Sequence, residues 1–162
     1  MTDKKKLLET ILPVAVLKAL NPATELAVSP SVMIAGMIPL RLFPFRVGRE
    51  TRVKIVDGRV ERVERLRSDI TKPSNDLYLV DEGRILNISR EHFQIEKDDN
   101  TFYLHDRGSS HGTIIGDYKI GGNASEDTVE LKDGDTIIIG NEESPYLFKF
   151  IVFDDVEVRS RV

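Results

Sequence analysis

A chain of 162 residues is long enough for one well-cored domain and a short appendage. A hydrophobic content of 40% and a charged content of 31% exclude global disorder, and a net charge of −4 with both signs interspersed excludes a broad nucleic-acid surface. The lack of cysteine excludes disulfides, thiolate metal sites and thiol nucleophiles; a cytoplasmic location is the default reading.

Residues 1–24 differ in character from the rest. Leu7, Leu8, Ile11, Leu12, Ala15, Val16, Ala19 and Leu20 recur at helical spacing and predict an amphipathic helix or tail. Pro13 starts or kinks it, and Asn21-Pro22 stops it. Such an apolar face is too extensive to stand in water, so it is expected to dock on the body of the protein or to mediate self-association. The lysines ahead of it invite a signal-peptide reading, but Lys18 breaks the apolar run and no small-x-small cleavage site follows cleanly. The run is also too short to span a bilayer.

From residue 25 to 155 the pattern turns β-like. Short strands are predicted over 32–35 and 38–42, bent by Gly36, Pro39 and Pro44. Residues 51–75 read as a basic insertion, with seven Lys/Arg (52, 54, 59, 62, 65, 67, 72) against four Asp/Glu (57, 61, 64, 69). Asp57-Gly58 between two short apolar runs predicts a hairpin inside it. Apolar alternation over 93–96 and 101–104, around the polar run 97–100, predicts the central antiparallel hairpin. Further strands are predicted over 128–131, 136–139 and 146–153, and residues 156–162 read as a polar tail. About eleven short strands without a long internal helix predict an all-β antiparallel sandwich with a short N-terminal helix.

The loop entering the central hairpin carries Ser89-Arg90-Glu91-His92, and the loop leaving it carries Gly108-Ser109-Ser110-His111-Gly112-Thr113. A hairpin brings its two outer ends to one sheet edge, so hydroxyls, a guanidinium and backbone N–H groups should gather there. That set suits an oxyanion. Upstream, a predicted strand ends in Gly48-Arg49, and Asn75-Asp76-Leu77 stands between these motifs.

Gly-Arg, then Ser-Arg-x-His, then Gly-Ser-Ser-x-Gly-Thr resemble the forkhead-associated (FHA) domain, a β-sandwich that binds phosphothreonine peptides. No single motif is specific; their order and spacing are. The resemblance covers about residues 27–153. It implies that Arg49 clamps the phosphate, that Ser89 and Ser110 donate to it, and that Arg90 adds a second charge. His111 stands where most of the family has Asn, which holds the peptide backbone. Gly48, His92, Gly108, Gly112 and Thr113 are implied as loop scaffold: His92 bracing the two loops, Gly112 allowing the turn, Thr113 locking it by side-chain bonds. The implied partner is a phosphothreonine-containing protein or peptide, with no cofactor, metal, nucleic acid or membrane span. A pocket beside the phosphate would favour the threonine methyl over serine.

Two rivals come from other classes. A structural or assembly protein could keep the FHA-like sandwich without recognising phosphate, although Arg49 and Ser89 would then be needless. An enzyme would need a nucleophile–base pair, and Asp106, Ser109, Ser110 and His111 are too close in one loop to present a triad. A tethered ligand is a further expectation, with Thr2, Thr10 or Thr24 phosphorylated and folded back into the chain's own site.

Overall fold

Short segments with alternating burial build two facing sheets in the computed structural model, which describes residues 3–63 and 73–153. In chain order they are α1 (Asp3–Ile11), β1 (Ala15–Ala19), α2 (Pro22–Ala27), a 3-10 turn (Pro30–Val32), β2 (Met37–Leu40), β3 (Phe45–Arg49), β4 (Val53–Val56), β5 (Arg59–Arg62), β6 (Leu77–Leu79), β7 (Phe93–Asp98), β8 (Thr101–Asp106), β9 (Thr113–Ile115), β10 (Tyr118–Ile120), β11 (Thr128–Leu131), β12 (Thr136–Ile139) and β13 (Leu147–Val152). One sheet has the order β10-β9-β12-β13-β1-β2 and the other β11-β8-β7-β3-β6. Their inner faces meet in one core, where Phe102 of the second sheet packs edge-on against Phe150 of the first at 5.2 Å.

The central hairpin is present as predicted, β7 pairing with β8 from Phe93↔Asp106 to Asp98↔Thr101. The Asp57-Gly58 hairpin also forms, as a separate two-stranded ribbon of β4 and β5. Both turn residues have positive φ, 51° and 77°, the geometry that an Asp-Gly two-residue turn favours. Arg62 ties this ribbon to the body by donating from Nη2 to the carbonyls of Ala27 and Tyr78.

The structure corrects several expectations. Residues 1–24 are not one helix, and no boundary falls at residue 25. The helix stops at Ile11, and β1 runs through the predicted apolar face as an interior strand between β13 and β2. Placed between β13 and β2, the segment pairs its backbone along both edges and buries every side chain but that of Lys18. Ala15, Val16, Leu17 and Ala19 are all buried. What remains of the helix is tied to the body where Arg41 Nε donates to Ile11 O, and its apolar side chains are left open: Leu7, Leu8, Ile11 and Leu12 are each more than half exposed. Residues 32–35 form the end of a 3-10 turn and a bridge, not a strand.

The sandwich is also not wholly antiparallel. β6 pairs in parallel with β3, held by Asp76, which accepts the Arg46 N–H and bonds its guanidinium. Thr24 is no tail residue: it is fully buried, donating to Asn21 Oδ1 and accepting from Leu147 N–H. Thr2, the stretch 64–72 of the insertion and the polar tail 156–162 lie outside the described residues.

Candidate functional site

β3 delivers Arg49 to the end of its sheet, where the chain from Asp81 to His92 folds across it. Arg49 N–H donates to Ser89 O at 2.9 Å and Nε donates to Ile88 O at 2.9 Å. With Nε engaged, the two terminal nitrogens remain as a fork of N–H donors. Ser89 Oγ accepts the Ser110 N–H at 3.0 Å, so its own hydroxyl hydrogen is left to donate elsewhere. Arg49, Ser89 and Ser110 are thus joined in one chain of contacts.

Arg90 is exposed and lines, with Arg49, Thr51, Ser74, Asn75, Tyr78 and Glu91, a groove of about 400 Å3. His111 follows Ser110 in the chain and is half-buried; no hydrogen bond ties its ring to the other four residues. The acids nearby are already engaged: Glu91 pairs with Arg107 at 2.9 Å, and Glu50 Oε1 accepts the Arg52 N–H. Asp81 accepts the N–H groups of Gly83, Asn87 and Ile88. Of the charged residues that line the groove, Arg49 and Arg90 stand against Glu91 alone, whose charge Arg107 offsets, so the lining is net positive.

His92 braces the two loops from within. It is fully buried; Nδ1 accepts the Ser89 N–H at 2.9 Å, and Nε2 lies 2.8 Å from Gly112 O. An amide can only donate and a carbonyl can only accept, which fixes the neutral ring with its hydrogen on Nε2. Burial pushes the pKa of His92 below its ordinary value, against smaller opposing effects of the Gly112 hydrogen bond and Asp106.

Two glycines are forced by close approach. A Cβ on Gly48 would lie 2.0 Å from Arg90 O and 2.5 Å from Asn75 Nδ2. Gly112 has φ +75°, and a Cβ there would meet Ile120 O at 2.5 Å. Gly108, at φ +86°, takes the turn that a larger residue would strain, with open space around it. Thr113 departs from the role that the resemblance implies: its Oγ1 is buried and has no hydrogen-bond partner among the described residues.

The locking falls to residues that the sequence reading passed over. Asp106 accepts from Gly108 N–H, Ser109 N–H and the Ser109 hydroxyl, and Ser109 Oγ accepts the Gly112 N–H at 3.0 Å. Asp-x-Gly-Ser is the signal that was available, since a side chain bonding N–H groups two and three residues on is a common turn device. Asn75, also buried, donates to Arg90 O at 2.8 Å and accepts from Arg107. That contact holds the Ser89 loop on the strand.

A family model described as the FHA domain matches residues 45–140. No curated protein matches the chain by sequence. Among solved structures, the chain is similar to the FHA domain of CT664 from Chlamydia trachomatis, with 20% identity, 86% of this chain and 98% of that one covered, and a TM-score of 0.50. It is also similar to Mycobacterium tuberculosis EmbR in complex with a low-affinity phosphopeptide (21%, 91% and 28%, TM-score 0.49). The N-terminal FHA domain of S. cerevisiae Rad53p in complex with a phosphothreonine peptide is a third (18%, 86% and 93%, TM-score 0.48). At such identities the likeness is one of fold.

Proposed function

We propose, from the premise that the chain belongs to the FHA domain family, that it is a phosphothreonine-dependent protein-binding module whose site is Arg49, Ser89, Arg90, Ser110 and His111. The observation that carries this reading is the shared anchoring of Arg49 and Ser110 on the 88–89 segment, which gathers a guanidinium fork and a hydroxyl donor in one place. A dianionic phosphate needs several donors and positive charge, and charge-assisted bonds to a fixed fork are the strong ones.

The mechanism is recognition without chemistry. Arg49 and Ser89 donate to phosphate oxygens, Arg90 adds charge from the groove wall, and His111 offers its ring to the peptide backbone. The Ser109 hydroxyl is held between Asp106 and the Gly112 N–H, and His92 is held between two backbone groups, so neither supplies a nucleophile or a base. The test is calorimetric titration with a degenerate phosphothreonine library, its phosphoserine counterpart and the unphosphorylated peptides. Binding of the phosphothreonine library alone, or well above phosphoserine, is the expected result. Equal binding of phosphorylated and unphosphorylated peptides would leave a structural role in its place.

A further inference from the structure

The end of the sandwich opposite the loops carries two surfaces that the ligand site leaves unused. Strand register places them together. Ala15, where β1 begins after α1, pairs with Leu40 and with Val152, and the Val152 N–H donates to Asp133. Ile115 and Tyr118, which flank the Gly116-Asp117 turn, pair with each other at that same end, whereas Thr113 pairs with Ile139 at the loop end.

The first surface is α1. Its first turn carries exposed Lys4 and Lys5 beside Asp3, and Leu7, Leu8, Ile11 and Leu12 stand 58%, 54%, 59% and 51% exposed. The second is a groove of about 280 Å3 lined by Ile115, Asp117, Tyr118, Val129, Glu130 and Asp135, with Lys132 on its wall. Tyr118 is 70% exposed there and Val129 half-buried, so the groove offers apolar surface ringed by carboxylates. The lysines cluster at the start of α1, and against Asp3 and Glu9 they leave the helix a net charge of +1, while Asp117, Glu130 and Asp135 against Lys132 leave the groove at −2; an apolar face and an apolar floor therefore meet with charges of opposite sign.

α1 does not use the groove of its own chain, because Ile11 and Leu12, at the root of the helix, are both exposed in the single chain. We propose that α1 of one chain docks in the acidic groove of a second copy, and reciprocally, giving a two-fold dimer joined through the ends distal to the ligand loops. Both surfaces lie at one end, so a two-fold axis there presents helix to groove twice. The loops then point away from each other, and one dimer presents two phosphopeptide sites. Two nine-residue helices make an interface at the small end of stable contacts, so assembly is expected at micromolar rather than nanomolar concentration.

The experiment is sedimentation equilibrium on the full chain with two charge-reversed variants, Lys4→Glu/Lys5→Glu and Asp117→Lys/Glu130→Lys. All four positions are exposed, and near-ultraviolet circular dichroism checks that each variant folds. Wild type is expected to dimerise, and each variant alone to dimerise at least about ten-fold more weakly. An equimolar mixture of the two is expected to recover the wild-type constant, because each helix then meets a groove of opposite sign. A wild-type chain that stays monomeric at several hundred micromolar overturns the proposal. So does a variant that dimerises like wild type, or a mixture no stronger than its components.

Discussion

The two ends of the sandwich are built by different means. At the loop end, Glu50, Asn75, Asp81, His92, Asp106, Ser109 and Thr113 are buried polar or charged side chains, set in or against the segments around Arg49 and Ser89. At the distal end the connections are tight turns, such as Asp99-Asn100 and Gly116-Asp117, and α1 leaves Leu7, Leu8, Ile11 and Leu12 exposed. An unpaired buried polar group costs about 1–3 kcal/mol, so a concentration of them at one end marks where geometry is fixed by side-chain bonds instead of by the sheets. The contrast says that rigidity was placed where donors must be aimed, and that the other end is available for contact with a partner.

The contrast breaks most severely at Gly48. Gly48→Ala puts a methyl group into Arg90 O and the Asn75 amide, both held by the hydrogen bond between them. Backbone cannot yield there as a flexible side chain would, so a loss of at least ~3 kcal/mol is expected in urea denaturation. Phosphopeptide binding should fall with it. A fully stable Gly48→Ala variant would show that the loop is not seated on the strand in this way.

His92→Ala comes next. It strands the Ser89 N–H and the Gly112 carbonyl and opens a cavity beside Phe93, whose ring stands edge-on to the imidazole at 6.1 Å. The expected loss is ~3 kcal/mol in stability, larger than the loss in affinity measured on the folded fraction. Arg49→Ala should do the reverse: normal thermal unfolding, with phosphopeptide affinity weakened by at least ~2 kcal/mol, the scale for truncating one partner of a desolvated charge pair. If Arg49→Ala binds as wild type does, Arg49 leaves the site. Together these two variants separate the brace from the clamp.

A pH titration sharpens the same distinction. Burial holds the folded pKa of His92 below the ordinary value of about 6.5. Below that value the unfolded chain takes up a proton that the folded chain refuses, so the stabilisation is complete above about pH 6.5 and is lost as pH falls toward the lowered folded pKa. The slope from this group reaches at most ~1.4 kcal/mol per pH unit, and it should be missing from the difference curve of a His92→Gln variant. Equal slopes for wild type and variant over pH 5–6.5 would show that His92 takes its proton in the folded state.

How much of this was legible in the sequence follows from the kind of signal each feature leaves. The order Gly48-Arg49, Ser89-x-x-His92, Gly112-Thr113 is local and survives without a structure, as does the Asp-Gly turn. β1 escapes the sequence because the run from Ala15 to Ala19 satisfies a helical repeat as well as an interior strand with only Lys18 in water, and its pairing with the strands that hold Phe148 and Ile38 decides between them. The parallel β3–β6 pair is set by the Asp76–Arg46 contact across 30 residues, which no local pattern encodes. Asn75 and Arg107 act across still longer separations. Asp106 and Ser109 are different, because their turn is local and the Asp-x-Gly-Ser pattern did announce it.

The smallest effect concerns a buried loop-end hydroxyl, that of Thr113. Thr113 is fully buried on β9, between the Gly112 turn and the core, and its Oγ1 has no hydrogen-bond partner among the described residues. A hydroxyl removed from water without a partner destabilises the fold, whereas a methyl of nearly the same shape does not. Thr113→Val should therefore raise stability by about 1 kcal/mol, seen as a higher unfolding midpoint in urea with an unchanged slope. Phosphopeptide affinity should not move, because Asp106 and Ser109 hold the loop and remain in place. Were Thr113 the lock that the family resemblance implies, the same variant would unfold earlier and bind more weakly. The two readings thus differ in sign, and a single denaturation curve chooses between them.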